Sequence, residues 1–205
     1  MNLKIFKTKC KSTEKVFVGI LGVSIFFSIY SSINSTLPLL QTIIFYFILL
    51  VILYILFYIS YVDFKTMKID SWLTLGVIIF LLVINISLYF LTNPNIGLVV
   101  SARFSYIPYD NFLFALILAV PFLLIVLISK EKAMGFGDVR IAIIVGLLIG
   151  YSNSMIWIYI TVFSTLLYGL LLGFKKKKKF KDIKIPFAPF MILAAVLSLL
   201  IDMYI

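Results

Sequence analysis

Apolar residues fill this chain in long blocks separated by short polar segments. The blocks run at roughly 16–35, 37–62, 72–92, 111–129, 139–151, 154–174 and 186–205. The longest reach the roughly 17–25 residues that carry an α-helix across the hydrocarbon layer of a membrane. The pattern therefore predicts an all-α, polytopic transmembrane helical bundle of about seven spans. The segment Ser152-Asn153-Ser154 separates two of these blocks. One long helix over 139–174 would use a single crossing and leave the lysines after it on the far side, so two spans fit better. The first block follows the basic start Met1 to Lys15 as a signal peptide would, but no small-x-small cleavage site follows it, which predicts an uncleaved span.

Composition agrees. Of 205 residues, 63% are hydrophobic and 13% charged, against roughly 45–50% and 25% in soluble domains. A chain of this length cannot hide so much apolar surface from water, and the bilayer is its solvent.

The net charge of +10 falls on short segments between the blocks. With the N-terminus inside, Lys4, Lys7, Lys9, Lys11 and Lys15 lie on the cytoplasmic side. So do Lys65, Lys68, Lys130, Lys132 and Arg140, and the run Lys175 to Lys179 with Lys181 and Lys184. That accounts for 17 of the 18 basic residues, leaving only Arg103 outside, so the positive-inside bias selects one orientation. The expected location is the inner, cytoplasmic membrane, multi-pass. The lysine run reads as a topology anchor that meets anionic lipid headgroups, and no nucleic acid is expected. Histidine is absent and cysteine occurs once, as Cys10. This removes Ser-His and Cys-His catalytic pairs, imidazole metal sites and thiolate zinc clusters.

Orientation also sorts the eight acidic residues. Asp110 and Asp202 fall outside, and Glu14 and Asp182 lie in basic cytoplasmic segments, which leaves Asp63, Asp70, Glu131 and Asp138. Asp63 ends one apolar block and Asp138 opens another, both at one membrane face. Carboxylates at that boundary are costly to ionise and mark functional sites. Asp138 also fits a plain helix N-cap. Asp63 opposes the dipole of a helix that ends there, unless the helix continues beyond it. A pair of carboxylates sharing one proton is what peptide hydrolysis needs without metal, serine or cysteine. The ionised group takes a proton from water while the protonated one polarises the carbonyl and then supplies the leaving amine.

Three local motifs add specificity. Met134-Gly135-Phe136-Gly137-Asp138-Val139-Arg140 resembles the Gly-x-Gly-Asp signature of the bacterial prepilin peptidase family. Asp63-Phe64-Lys65-Thr66-Met67-Lys68-Ile69 is similar to that family's first motif, with Asp70 where proline is usual. Ile185-Pro186-Phe187-Ala188-Pro189-Phe190 resembles its Ile-Pro-Phe-Gly-Pro-Phe segment, with Ala188 at the usual glycine.

The resemblance implies a membrane aspartic endopeptidase that removes the leader of type IV prepilins or pseudopilins on the cytoplasmic side, cutting after glycine. Asp63 and Asp138 would be catalytic, Gly135 and Gly137 would form the active-site loop, and no metal or other cofactor would be needed. The chain lacks the cysteine-containing insertion of the larger, methylating members, so a peptidase-only form is expected. It would comprise a basic N-terminus with an extra span over 1–36 and a six-span core over 37–205. A transporter is the rival from another class, but it calls for midplane acidic groups on discontinuous helices and for repeat symmetry, and neither is seen. A catalytically silent subunit is a second rival, against which the intact aspartate pair argues.

Cysteines placed at Lys65, Lys132 or Lys177 are expected to escape an impermeant thiol reagent in intact cells, and one at Arg103 to react. Labelling at Lys132 would invert the map.

Overall fold

The computed structural model describes residues 39–91, 98–99, 105–131, 134–151, 153–176 and 185–204, with Val18, Gly19, Leu21, Gly22 and Ile25 besides. Apart from those five positions, the expected first span over 16–35 and the 36/37 domain boundary lie outside the described residues, as do Arg103, Lys132 and the lysines beyond Lys176.

Six helices follow one another among the described residues: α1 (Leu39–Thr66), α2 (Ser71–Leu91), α3 (Pro108–Ser129), α4 (Phe136–Ile149), α5 (Ser154–Lys176) and α6 (Ala188–Tyr204). Between α2 and α3 the polar segment contains two short strands, β1 (Leu98–Val99) and β2 (Ser105–Tyr106). They pair antiparallel with Leu98 opposite Tyr106 and Val99 opposite Ser105. The all-helical expectation holds for every long element and misses this ladder, which gives backbone groups partners where no helix supplies them.

Four helices are long and apolar enough to cross a membrane, with windows at Tyr46–Thr66, Ser71–Phe90, Pro108–Ser129 and Ser154–Phe174. Their outer faces carry bare apolar side chains such as Trp72, Ile79, Phe90, Ile117, Ile128 and Phe163. Lipid satisfies such faces and water does not. Of the seven expected blocks, four fold as candidate spans, two fold as shorter helices, and the first lies almost wholly outside the described residues. α4 has 14 residues and α6 has 17. At 1.5 Å per residue α4 extends only roughly 21 Å, short of a hydrocarbon layer about 30 Å thick.

Two compact units divide the chain, Met1–Tyr58 and Ile59–Ile205. In the first, the described part of α1 buries Leu49, Ile52, Leu53 and Leu56. In the second, α4 is the central post. It packs against α2, α3 and α6, and Ile141, Ala142, Ile144, Val145 and Leu147 are 0% exposed. A helix apolar on every side must be covered on every side, and here protein does the covering.

Close approach between α3 and α4 depends on two glycines four apart, one within α4 and one just past its end. A Cβ added at Gly146 would lie 2.5 Å from Ala115 Cα and 3.0 Å from Ala115 N, both backbone atoms. One turn on, Gly150 has φ +63° and lies against the Asn111 side chain, so both its conformation and its surroundings require glycine. The buried Asn111 donates Nδ2–H to the Leu147 carbonyl at 3.2 Å, a polar tie between the same two helices. α5 and α6 are joined similarly, since Trp157, 1% exposed, donates its indole N–H to the Met191 carbonyl at 2.8 Å.

Gly146→Ala should force α3 and α4 apart, because backbone cannot yield as a side-chain tip can. A cost of about 1–3 kcal/mol is expected, read as a thermal midpoint in detergent lowered by roughly 2–4 °C per kcal/mol. Gly76→Ala, where a Cβ meets nothing within 4 Å, should leave the midpoint unchanged or slightly raised.

Candidate active site

α1 does not stop at Asp63 but runs on to Thr66. It ends where Met67 turns left-handed (φ 51°) and donates its N–H to the Asp63 carbonyl at 2.8 Å. Asp63 therefore lies in the last turn, and it is buried, 5% exposed. The objection from the dipole of its own helix is met by another helix. The backbone N–H of Ala188, first residue of α6, hydrogen-bonds the Asp63 carboxylate. Helix N-termini carry free N–H groups and partial positive charge and so favour an anion. Phe187 begins α6 by accepting from the Phe190 and Met191 N–H groups at 3.1 and 3.2 Å. Pro189 falls in the first turn, where a missing N–H costs nothing. The Pro-Phe-Ala-Pro-Phe segment thus presents Ala188 N–H to the carboxylate.

Asp138 belongs to the first turn of α4 without being its cap. Gly135 is the cap residue, with an extended backbone. Its N–H donates to Asp138 Oδ2 at 3.3 Å, and Asp138 N–H donates to the Gly135 carbonyl at 3.2 Å. This reciprocal pair meets two donors at the helix start. Burial pushes the Asp138 carboxyl up to about 6, the negative charge of Asp63 adds to the rise, and the Gly135 N–H opposes it.

Both aspartates line one cavity of about 710 Å³, together with Gly135, Gly137 and the apolar side chains of Ile125 and Phe187. Glu131, Arg140 and Thr165 add polar groups to its wall. The two glycines serve different ends. A Cβ at Gly137 would lie 2.8 Å from both Cβ and Cδ1 of Ile69, so the Gly-x-Gly-Asp loop seats the isoleucine of the first motif. A Cβ at Gly135 would approach only Gly137 N, at 3.9 Å. Gly135 borders open space rather than permitting a tight contact.

Asp70 stands outside the cavity wall. Its Oδ1 accepts the Trp72 N–H at 3.0 Å and its carbonyl accepts the Thr74 N–H at 3.2 Å, which makes it the N-cap of α2. Replacing proline by aspartate exchanges one way of starting a helix for another, and the side chain is occupied in doing so.

The sequence reasoning overlooked Thr165. A signal was present in the stripe Thr161, Ser164, Thr165 and Tyr168, at helical spacing in an otherwise apolar block. A polar face on a membrane helix turns toward protein. Tyr168 packs on Phe64 at 6.2 Å and on Phe190 at 5.1 Å between ring centroids, bringing this face of α5 to the turn of Asp63 and the start of α6.

Four candidate spans and a cavity walled by two carboxylates from separate helix ends define the class: a multi-pass helical membrane protein with an aspartate-pair site. A family model described as the type IV leader peptidase family matches residues 50–170. The chain belongs to that family, one of aspartic-type peptidases, and membership points to cleavage of prepilin leaders. The match includes Asp63, Gly135, Gly137 and Asp138, while Ile185 to Phe190 lie after it. No curated protein and no solved structure matches the chain.

The raised Asp138 carboxyl has a consequence for stability. An acid whose folded pKa is raised stabilises the fold while protonated, and that contribution is lost as pH rises from the ordinary carboxylate value near 3.8 through about 6. Asp138→Asn, which cannot ionise, should be more stable than wild type above pH 6 by roughly 1–3 kcal/mol. The advantage should vanish below pH 4. Thermal midpoints of both proteins at pH 4 and pH 7.5 test this, and an equal gap at the two pH values would count against it.

Proposed function

We propose that this protein is a peptidase-only prepilin peptidase, in which Asp63 and Asp138 are the catalytic pair and Gly135 and Gly137 form the active-site loop. The observation that carries the proposal is the shared cavity. Two carboxylates distant in sequence share its wall, each held by a helix N-terminal N–H, and one is raised to about 6. The negative charge of Asp63 helps raise the Asp138 carboxyl, and neighbouring carboxylates coupled in this way divide a single proton between them over a range of pH. The ionised member takes a proton from water, and the water oxygen attacks the scissile carbonyl. The protonated member donates to the carbonyl oxygen, and the pair returns a proton to the departing amine as the C–N bond breaks. No metal or other cofactor takes part.

The substrate is a type IV prepilin or pseudopilin whose leader ends in glycine before its own apolar helix. A small residue there lets the scissile carbonyl reach the pair past Gly135 and Gly137. The pilin helix lies alongside the spans in lipid. On the positive-inside bias the site faces the cytoplasm at the inner membrane, with the N-terminus also inside. The same bias supports seven spans, a six-span core over 37–205 preceded by one further span. Anionic headgroups gather at the basic segments. The chain's one cysteine does not furnish the paired cysteines of the methylating members, and no methyl transfer is assigned to it.

Asp63→Asn and Asp138→Asn should each lower leader cleavage by roughly 10²- to 10⁴-fold while the protein still inserts and accumulates. Asp70→Asn should cleave normally, because asparagine caps a helix as well as aspartate does. The assay is incubation of membranes with a tagged prepilin, followed by N-terminal sequencing of the product. Full activity in either of the first two variants, or a loss confined to Asp70→Asn, would overturn the pair.

A further inference from the structure

Hydroxyls on membrane helices ordinarily bond back to a carbonyl three or four residues earlier. Thr66, Thr74, Ser129, Ser164 and Ser198 all do so here. Thr165 does not. Its Oγ1 is buried and has no hydrogen-bond partner. The carbonyl at its own i−4 position belongs to Thr161 and accepts the Ser164 hydroxyl at 3.2 Å instead. With the helical N–H of Thr165 on its other lone pair, that carbonyl is full.

One wall residue of the same cavity has the complementary deficit. Asp63 Oδ2 is buried and also lacks a hydrogen-bond partner, although the Ala188 N–H serves its carboxylate. Asp63 and Thr165 both line the cavity. The contacts of Tyr168, one turn beyond Thr165, with Phe64 and Phe190 hold that face of α5 beside Asp63 and Ala188. A buried hydroxyl and a buried carboxylate oxygen left unpaired each carry a desolvation cost that a bond between them removes. Such bonds are often open in a free enzyme and close only when substrate is engaged.

We infer that Thr165 is a positioning residue for Asp63. When the leader peptide occupies the cavity, the Thr165 hydroxyl donates to Asp63 Oδ2, complements Ala188 N–H, and holds the carboxylate in the orientation that meets water and the scissile carbonyl. Thr165 does not touch the reacting atoms. The inference rests on the proteolytic reading given above.

Three variants in detergent-solubilised full-length protein, assayed with a purified tagged prepilin, separate the outcomes. Thr165→Val keeps shape and removes the hydroxyl, and should lower kcat about tenfold to a hundredfold with KM within twofold. Thr165→Ser should restore kcat to within about threefold. Thr161→Val removes the other buried, unpaired hydroxyl of the same helix, at a position away from the cavity wall, and should leave both constants unchanged. If wild type cleaves and Thr165→Val keeps its kcat, the inference fails and the proteolytic reading stands. A loss in Thr165→Val matched by Thr161→Val, or not rescued by Thr165→Ser, marks a packing role and also overturns it. Absence of cleavage by wild type overturns both.

Discussion

Withdrawing two carboxylates from water is the constraint on which the rest of this structure depends. An ionised carboxylate in an apolar surround is costly unless hydrogen-bond donors replace the water it loses. The chain supplies those donors from backbone at helix starts: Ala188 N–H at α6 for Asp63, and Gly135 N–H at α4 for Asp138. Neither donor can be titrated away, and neither brings a cation that would neutralise the site outright. The balance leaves the Asp138 carboxyl near 6, where a proton is gained and lost at little cost.

Holding those helix starts in place is the task of α4. It is short, buried almost all round and pressed against α3 through Gly146 and Gly150. Interiors packed this closely transmit displacement rather than absorb it. A shift of α4 along α3 would move Asp138 with it. At its other end Gly137 receives Ile69, so the turn that follows Asp63 and the end of α1 is seated against the loop that carries Asp138. The three motifs are parts of one contact set: Asp63 with Ala188, Ile69 with Gly137, and Gly135 with Asp138.

The departures from the family pattern are local replacements. Asp70 begins α2 by accepting backbone N–H, where the usual proline would stiffen the turn before it. Ala188 is 0% exposed and still offers its N–H. Since the recognition of Asp63 uses backbone, a methyl group in place of a glycine hydrogen leaves that bond intact.

Much was legible in the sequence because it is a local property. Hydropathy over a window identifies helices that shun water, and Leu39–Thr66, Ser71–Leu91, Pro108–Ser129 and Ser154–Lys176 fall close to the expected blocks. Asp63 and Asp138 stood out because a carboxylate bordering an apolar block is rare and costly. Hydropathy cannot tell lipid from protein, since both are apolar. That α4 is covered by α2, α3 and α6 was decided only by tertiary packing. The same holds for every bond between distant segments. Ala188 N–H serves Asp63 across more than a hundred residues, Ile69 fills the space beside Gly137, and Thr165 joins the wall of the cavity. Each requires two elements to be brought to one place, and that placement comes from the packing of whole helices, which no window along the chain contains.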